Sequence, residues 1–464
     1  MKKIDKAIII AILILGLHLG CKKNDWYDIK SDKSLAIPTT LTDLQALMDD
    51  GSTLNTFTPG MGEAASDGHY LNETRALALN GYIRNAYTWT HEQSNQRVVD
   101  WINSTTNGSY RRVYYANLVL DGLVKIKPNG RDESIQLNNI KGQALFHRAH
   151  AFYELSQIFA PPYQLATANN KLGIPLRLES DINIPSKRST LQQTYDQIIN
   201  DLLQAKDLLP ESALYKTRAS RISALALLAR VNLSMENYEQ ARNYADLCLS
   251  SYNELLDYRS LNATTTGNPI MVYNPEVIFY TSMHTNPAIS FSNLLVDRSF
   301  YDSYNANDLR KKIFFNLNST TGLVTYKGTY CGVGFSNPFS GLATDEVYLI
   351  RAECYARAGN VTESMADLNA LLKMRWSGTY TDIIATNADD ALRKVLEERK
   401  KELIMRGLRW TDLRRLNRDP RFAVTLTRKI GDKTYTLEPN SYKYTFPIPD
   451  DIIEMTGMPQ NEGW

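Results

Sequence analysis

Cysteine is scarce in this sequence, with 4 in 464 residues, and no two are spaced as C-x-x-C. That excludes a zinc ribbon or a dithiol redox motif and leaves too few residues for a disulfide framework. Charge of one sign is also lacking. The 52 Lys and Arg stand against 50 Asp and Glu, a formal net charge of +2. Such a balance sets up no long-range field, so composition offers nothing to a nucleic acid. No Gly-x-Ser-x-Gly, phosphate-binding loop or dinucleotide fingerprint occurs, which removes the common signals of serine hydrolases, NTPases and NAD enzymes. No apolar run reaches the roughly 20 residues that a membrane-spanning helix needs. What the chain does have is aromatic side chains: 27 Tyr, 13 Phe and 6 Trp. Tyr and Trp offer a flat apolar face and a polar tip, which suits binding surfaces as well as cores.

The first residues form an address. Met1 to Lys6 is basic, and Ala7 to Leu19 is an apolar stretch too short to span a bilayer. Gly20 then precedes Cys21, the order of a lipoprotein signal, with His18 where such signals usually carry Leu. Residues 1–20 are therefore expected to be removed and Cys21 to carry the lipid. Several acyl chains anchor a protein stably where one holds it only marginally. Residues 21–40 are polar and read as a tether. Of the other cysteines, Cys248, Cys331 and Cys354, the first and last lie within helical patterns and are expected to be buried as small hydrophobes.

Helical periodicity dominates the rest. It predicts helices over 110–126, 138–159, 190–209, 222–234, 238–249, 344–358, 361–375, 391–405 and 411–416. Two helix pairs align with each other: Arg230 to Ala241 matches Glu353 to Ser364, each a helix end, a tight turn and a helix start. The spacing is tetratricopeptide-like, but the pairs lie far apart, so the repeats are interrupted. Residues 253–342 and 50–108 are rich in Asn, Gly, Thr and aromatics and read as loop, with a short strand at 277–280. Long irregular stretches tend to be functional. Residues 417–464 read as extended.

Several motifs then bear a resemblance. Gln143 to Leu155, with Arg148-Ala149 followed by aromatics, resembles a helix of the SusD/RagB family, and Phe159-Ala160 stands where that family more often has Phe-Gly. Leu172-Gly173-Ile174-Pro175-Leu176 and Ser189 to Pro210 are similar to its next segments. Leu396 to Leu403, running on through Arg406-Gly407-Leu408-Arg409-Trp410-Thr411-Asp412-Leu413-Arg414-Arg415, is the strongest match. Phe446-Pro447-Ile448-Pro449 and Gln460 to Trp464 resemble the family's closing motif, with Thr456-Gly457 in place of its usual Asn-Pro. The resemblance implies a mainly α fold: a SusD-like scaffold with interrupted tetratricopeptide-like repeats over about 110–250 and 343–417, a loop-rich insertion over about 253–342, and one domain over 41–464. It further implies an outer-membrane, surface-exposed lipoprotein that captures oligosaccharide for a SusC-like TonB-dependent transporter, with no catalysis, metal or cofactor. Peptide or glycopeptide capture on the same scaffold, a lipid-anchored glycoside hydrolase and a helical-repeat adaptor without ligand are the alternatives.

The family's ligand aromatics lie in poorly matched loops, so no site residue carries over by motif. Sugar rings stack on Trp and Tyr while their hydroxyls need polar partners. On that ground Trp89 and Trp101, then Tyr301, Tyr304 and Tyr326 with Asn305 and Asn307 beside them, are the candidate ligand contacts. His147, His150 and Glu154 share one helix face, as metal ligands could, but read as a polar stripe beside Arg148. Glu398 and Glu402 are one turn apart on a helix and read as a surface ion lattice, with Glu397 and Lys401 as an i,i+4 pair, rather than as carboxylates flanking a glycosidic bond. Arg409, Trp410, Asp412, Arg414 and Arg415 read as structural, Trp410 filling a gap between helices.

Overall fold

The computed structural model describes residues 38–93, 97–102, 108–332, 334 and 337–464. The signal, Cys21 and most of the tether lie outside the described residues. The ten principal helices are α1 (Leu41–Met48), α2 (Ser109–Leu123), α3 (Arg131–Phe159), α4 (Leu191–Leu208), α5 (Arg221–Ser234), α6 (Tyr238–Ser251), α7 (Thr344–Arg357), α8 (Val361–Lys373), α9 (Ala388–Glu402) and α10 (Arg409–Leu416). Their ends follow local chemistry. Thr190 and Gln193 form a capping box at the start of α4, and Ser220 and Ser223 form one at α5. The longest helix, α3, stops at Ala160, whose extended backbone is what a following proline, here Pro161, enforces. It begins seven residues before the apolar periodicity starts. That first stretch is largely solvated, so nothing in it repeats, yet Asp132 and Glu133 suit a helix N-terminus.

Successive helices pack side by side. α3 contacts α2 and α4, α5 contacts α4 and α6, and α7 contacts α6, α8 and α9. The two similar pairs, α5–α6 and α7–α8, are therefore neighbours in space although nearly a hundred residues separate them in the chain. Their turns match in detail. Asn237 and Asn360 precede α6 and α8 with nearly the same backbone angles, φ −84° in both, and the residue before each is left-handed: Glu236 at φ 59° and Gly359 at φ 84°. Glycine adopts that conformation without penalty and Glu does not. Ala241 and Ser364 are fully buried at the close approach, and Ser364 donates to the Ala352 carbonyl at 2.8 Å.

The segments without periodicity are not simply loop. Residues 50–108 contain short helices at Gly51–Leu54, Met61–Ala65, Glu73–Leu77 and Gly81–Thr88. The described strands form five antiparallel two-stranded ladders. Tyr70–Leu71 pairs with Leu294–Leu295, and Val277–Phe279 with Leu342–Ala343; the others are local hairpins. Together, residues 64–87 and 258–343 enclose an aromatic core of their own, built on Tyr87, Tyr258, Tyr304, Phe314, Phe315 and Phe339. Residues 417–464 add a hairpin, Leu426–Ile430 with Lys433–Leu437, and a short helix, Asp450–Thr456.

A buried ion network fastens this second core to the scaffold. Arg375 bonds Glu276 at 2.6 Å and Glu402 at 2.7 Å, while Arg310 bonds Asp308, Glu398 and Glu402 at 2.6, 2.5 and 2.9 Å. Glu402 is 2% exposed, so the expected surface lattice is in fact an interior network. Lys401 pairs with Glu398 at 3.0 Å rather than with Glu397. The cysteines Cys248, Cys331 and Cys354 are free thiols, all buried. No helix of the described residues is long and apolar enough to cross a membrane.

Candidate functional site

Trp101 is held by the start of α2. The Tyr110 N–H donates to its carbonyl at 3.0 Å, which brings the indole to 4.8 Å from the Tyr110 ring and 4.9 Å from Phe159. One edge of Trp101 reaches a cavity of about 440 Å³ between α2, the segment after Pro175 and the helix Asp450–Thr456. Tyr110, Arg111, Tyr114 and Asn117 reach it from consecutive turns of α2. Tyr114 is exposed, so its ring is open to an occupant, whereas the Tyr110 hydroxyl is committed to the Pro175 carbonyl at 2.8 Å. Asn117 holds the opposite wall by donating to the Arg177 and Glu179 carbonyls at 2.8 and 3.2 Å. Gly173 lies in the hairpin Leu172–Pro175 with Arg188–Thr190 beside this wall, where a Cβ would run into Thr194 Oγ1 and the Thr190 carbonyl to which that hydroxyl donates at 3.0 Å. Arg111 stacks on Tyr115 at 5.0 Å, and its Nε has no partner. Ile182, Ile452, Met455 and Met458 supply the apolar side. Aromatic and guanidinium groups beside apolar surface are the mixture that ligand pockets use.

The other candidate residues lie elsewhere. Trp89 is a core side chain, 1% exposed: its indole N–H donates to the Ala65 carbonyl at 3.0 Å and Arg428 covers the ring at 4.8 Å. Tyr304 is also buried, its hydroxyl donating to the Lys401 carbonyl at 2.8 Å. Tyr326 is buried with its hydroxyl on the Gly328 carbonyl. None of these three rings is open to a ligand: Tyr304 and Tyr326 fill the aromatic core of the insertion, and Trp89 belongs to the main core of the scaffold. Tyr301 is half-buried under Lys311, whose ammonium sits 4.6 Å from the ring centre. Asn305 and Asn307 belong to the turn leading into Asp308, where the Asn307 N–H donates to Asn305 Oδ1 at 2.9 Å. Tyr110, Arg111 and Tyr114 were not among the candidates; Tyr114 fits the apolar stripe of α2 and is exposed all the same. Tyr residues at i and i+4 beside an Arg, nine residues after a Trp, are the signal in the sequence that could have marked them.

His147 and His150 are buried against Phe279, not on a surface stripe, and His150 lies 3.3 Å from Glu154, which also pairs with Arg112. Among the described residues no group of His, Cys, Asp and Glu could hold a metal ion. Burial pushes His69 and His147 down to about 3, and it pushes Glu63 and Asp100 up to about 7. The two sets act on stability with opposite signs. Below about 6.5 the unfolded chain protonates histidines that the fold keeps neutral, so each costs about 1.4 kcal/mol per pH unit down to its folded value. The two carboxyls keep protons that the unfolded chain has lost, so their contribution is complete below the usual carboxylate range and is lost as pH rises to about 7. Between about 6.5 and 4.5 these slopes offset one another. Below that range the histidine cost is no longer offset. It is joined by Glu353, whose burial is outweighed by Arg415 and Arg357 so that it sits at about 2, and whose contribution is lost as pH falls from the usual carboxylate range to that value. Thermal melts followed by circular dichroism from pH 7 to 3 are expected to show a plateau and then a steep fall below about 4.5. A steady decline beginning at about 6.5 would contradict these assignments.

Residues 25–233 match a family model described as SusD-like, starch-binding associating with outer membrane, and residues 344–464 match the SusD family model. The SusD-like protein P2 of Formosa agariphila is 23% identical, over 72% of this chain and 75% of that one. A SusD superfamily protein from Bacteroides vulgatus shares the fold with a TM-score of 0.70 at 23% identity, covering 92% of this chain and 99% of its own. A laminarin-binding SusD-like protein does so with a TM-score of 0.63 at 18% identity, covering 91% and 98%. The two family matches bracket the insertion, and they meet the buried Arg-rich motif of α9 and α10, the capped α4 and the closing segment where the fold places them: the chain belongs to the SusD/RagB family.

Proposed function

We propose that this protein is an outer-membrane lipoprotein, anchored through Cys21 and exposed at the cell surface, that captures oligosaccharide in the Trp101–Tyr114 cavity for import by a SusC-like TonB-dependent transporter. The cavity carries the reading: an open Tyr114 ring, Trp101 on the lining and the Arg111 and Arg177 guanidiniums around it match the mixed faces of a sugar. Family membership and the lipoprotein signal support the location. No chemistry on the ligand is part of the proposal. Glu398 and Glu402, one turn apart on α9, are bound to Arg310 and Arg375. A peptide or glycopeptide ligand is the second reading, favoured by the exposed Ile182 and Met455 on the same cavity, 78% and 73% accessible.

Electrophoresis through gels cast with starch, laminarin, xylan or mannan tests the proposal. At least one polysaccharide is expected to retard the chain beginning after Cys21, and Tyr114→Ala is expected to weaken that retardation about tenfold or more, the loss of one stacking platform. Retardation that Tyr114→Ala leaves intact would remove the site. A chain that none of the gels retards and that a peptide array captures would replace saccharide by peptide.

A further inference from the structure

A second cavity, of about 550 Å³, lies on the other side of the hairpin Leu172–Pro175 with Arg188–Thr190 and shares no lining residue with the first. Its walls mix polar and apolar surface, and four cations reach them: Lys171, Arg188, Arg414 and Arg418. The only acid on the lining is Glu462.

Two of these cations bond no carboxylate. Arg148, Arg230, Arg310, Arg375, Arg406 and Arg415 are buried, and each bonds a carboxylate. Arg414 is 3% exposed and bonds only carbonyls, those of Ser156, Gln157 and Ala160 at the end of α3, and its Nε has no partner. Arg188 likewise spends its donors on neutral acceptors: the Gly173, Leu172 and Pro459 carbonyls and Asn461 Oδ1. Burial pushes both guanidiniums down to about 10, the mark of cations with no matching anion. Buried charge is normally paired. Arg428 is also buried on carbonyls alone, those of Ala64, Ser66 and Tyr87, but it is Arg414 and the half-buried Arg188 that line this cavity.

Glu462 does not fill that role. Its side chain is 82% exposed and it bonds Lys171 at 2.6 Å, an exposed contact that is readily exchanged. Beside it, the Tyr442 ring is 46% exposed and held edge-on by Trp464 at 5.0 Å, and Asn170, Gln164 and Asn440 offer hydroxyl partners. We propose that this cavity is a second binding site, for an acidic saccharide whose carboxylate or sulfate group displaces Glu462 from Lys171 and faces Arg188 and Arg414 while its ring rests on Tyr442. The inference adds the charge class of a ligand to the saccharide capture proposed above, but at a separate place.

Calorimetric titration of the chain beginning after Cys21 tests it, with oligogalacturonate and a sulfated galactan oligosaccharide as probes and a neutral gluco-oligosaccharide alongside. An acidic probe is expected to bind and to weaken about tenfold between 20 mM and 500 mM salt. Lys171→Glu, at an exposed position, is expected to weaken it by about tenfold more, and Glu462→Gln to tighten it about two- to fivefold by removing the competing carboxylate. Binding of one acidic probe and not the other identifies the anion as uronate or as sulfate. No binding of either, or binding that both substitutions leave unchanged, overturns the proposal. Loss on Tyr114→Ala with retention on Lys171→Glu assigns the ligand to the first cavity and also overturns it. Loss of neutral-sugar binding in the gels would leave this result standing, so the two readings fail separately.

Discussion

Replacing Arg375 by Met is expected to destabilise the protein by about 3–5 kcal/mol, because it breaks a buried network instead of a surface pair. Arg375 is fully buried and serves two carboxylates, Glu276 from the insertion and Glu402 from α9, besides donating to the Leu256 carbonyl at 2.8 Å. Met fills much of the volume, so packing changes little. What remains is charge: Glu402 keeps Arg310, but Glu276 is left with the Leu256 N–H and the Tyr330 hydroxyl. Removing one partner of a buried pair costs far more than the pair contributes, since the abandoned ion stays in low dielectric. The comparison is Arg298→Ala, which breaks an exposed i,i+4 pair with Asp302 and is expected to cost under about 1 kcal/mol. Urea unfolding of both variants decides the matter. Equal small effects would show that the interior network contributes no more than a surface contact.

The second large effect is at Trp410. Its ring is 1% exposed, stacks on Phe446 at 5.3 Å and 24°, and lies 4.9 Å from Tyr444. It also closes on Gly62, where an added Cβ would come within 3.1 Å of it and of Ile158. One side chain thus joins the N-terminal segment, α3 and the C-terminal segment, and Trp410→Ala is expected to cost about 3–5 kcal/mol through the cavity it leaves. The indole N–H has no hydrogen-bond partner in the protein, so Trp410→Phe loses volume but no bond. It is expected to cost less than half as much by the same urea measurement. If Phe proves as damaging as Ala, the N–H has a role that the packing account omits.

The scaffold was legible because its helices repeat apolar residues over many turns. The capping box at Thr190, the stop before Pro210 and the matching turns at Asn237 and Asn360 follow directly from residue types. Short helices defeat that reading. Met61–Ala65 and Glu73–Leu77 are single turns, too brief for a period, and the latter starts because Asn72 accepts from the Arg75 N–H. The aromatic residues of the two irregular segments misled in the same way. Trp89, Tyr304 and Tyr326 stand among polar neighbours along the chain, but Trp89 packs into the scaffold core and the two tyrosines into the core of the insertion, and burial by distant residues has no local signature. Glu402 looked superficial for a related reason: its partners Arg310 and Arg375 lie 92 and 27 residues away. Of the candidate aromatics, Trp101 lines the cavity proposed as the site; Tyr114 was not among them, since it occupies a position that the periodicity of α2 assigns to the core.

The central claim is that the chain binds saccharide without altering it. Calorimetric titration of the protein beginning after Cys21 against one panel of neutral and acidic oligosaccharides and a matched panel of peptides tests this most directly. The account predicts saturable binding of at least one saccharide, in the range of about 1 μM to 1 mM, with the sugar recovered intact. Binding confined to peptides, or a saccharide recovered in fragments, would contradict it.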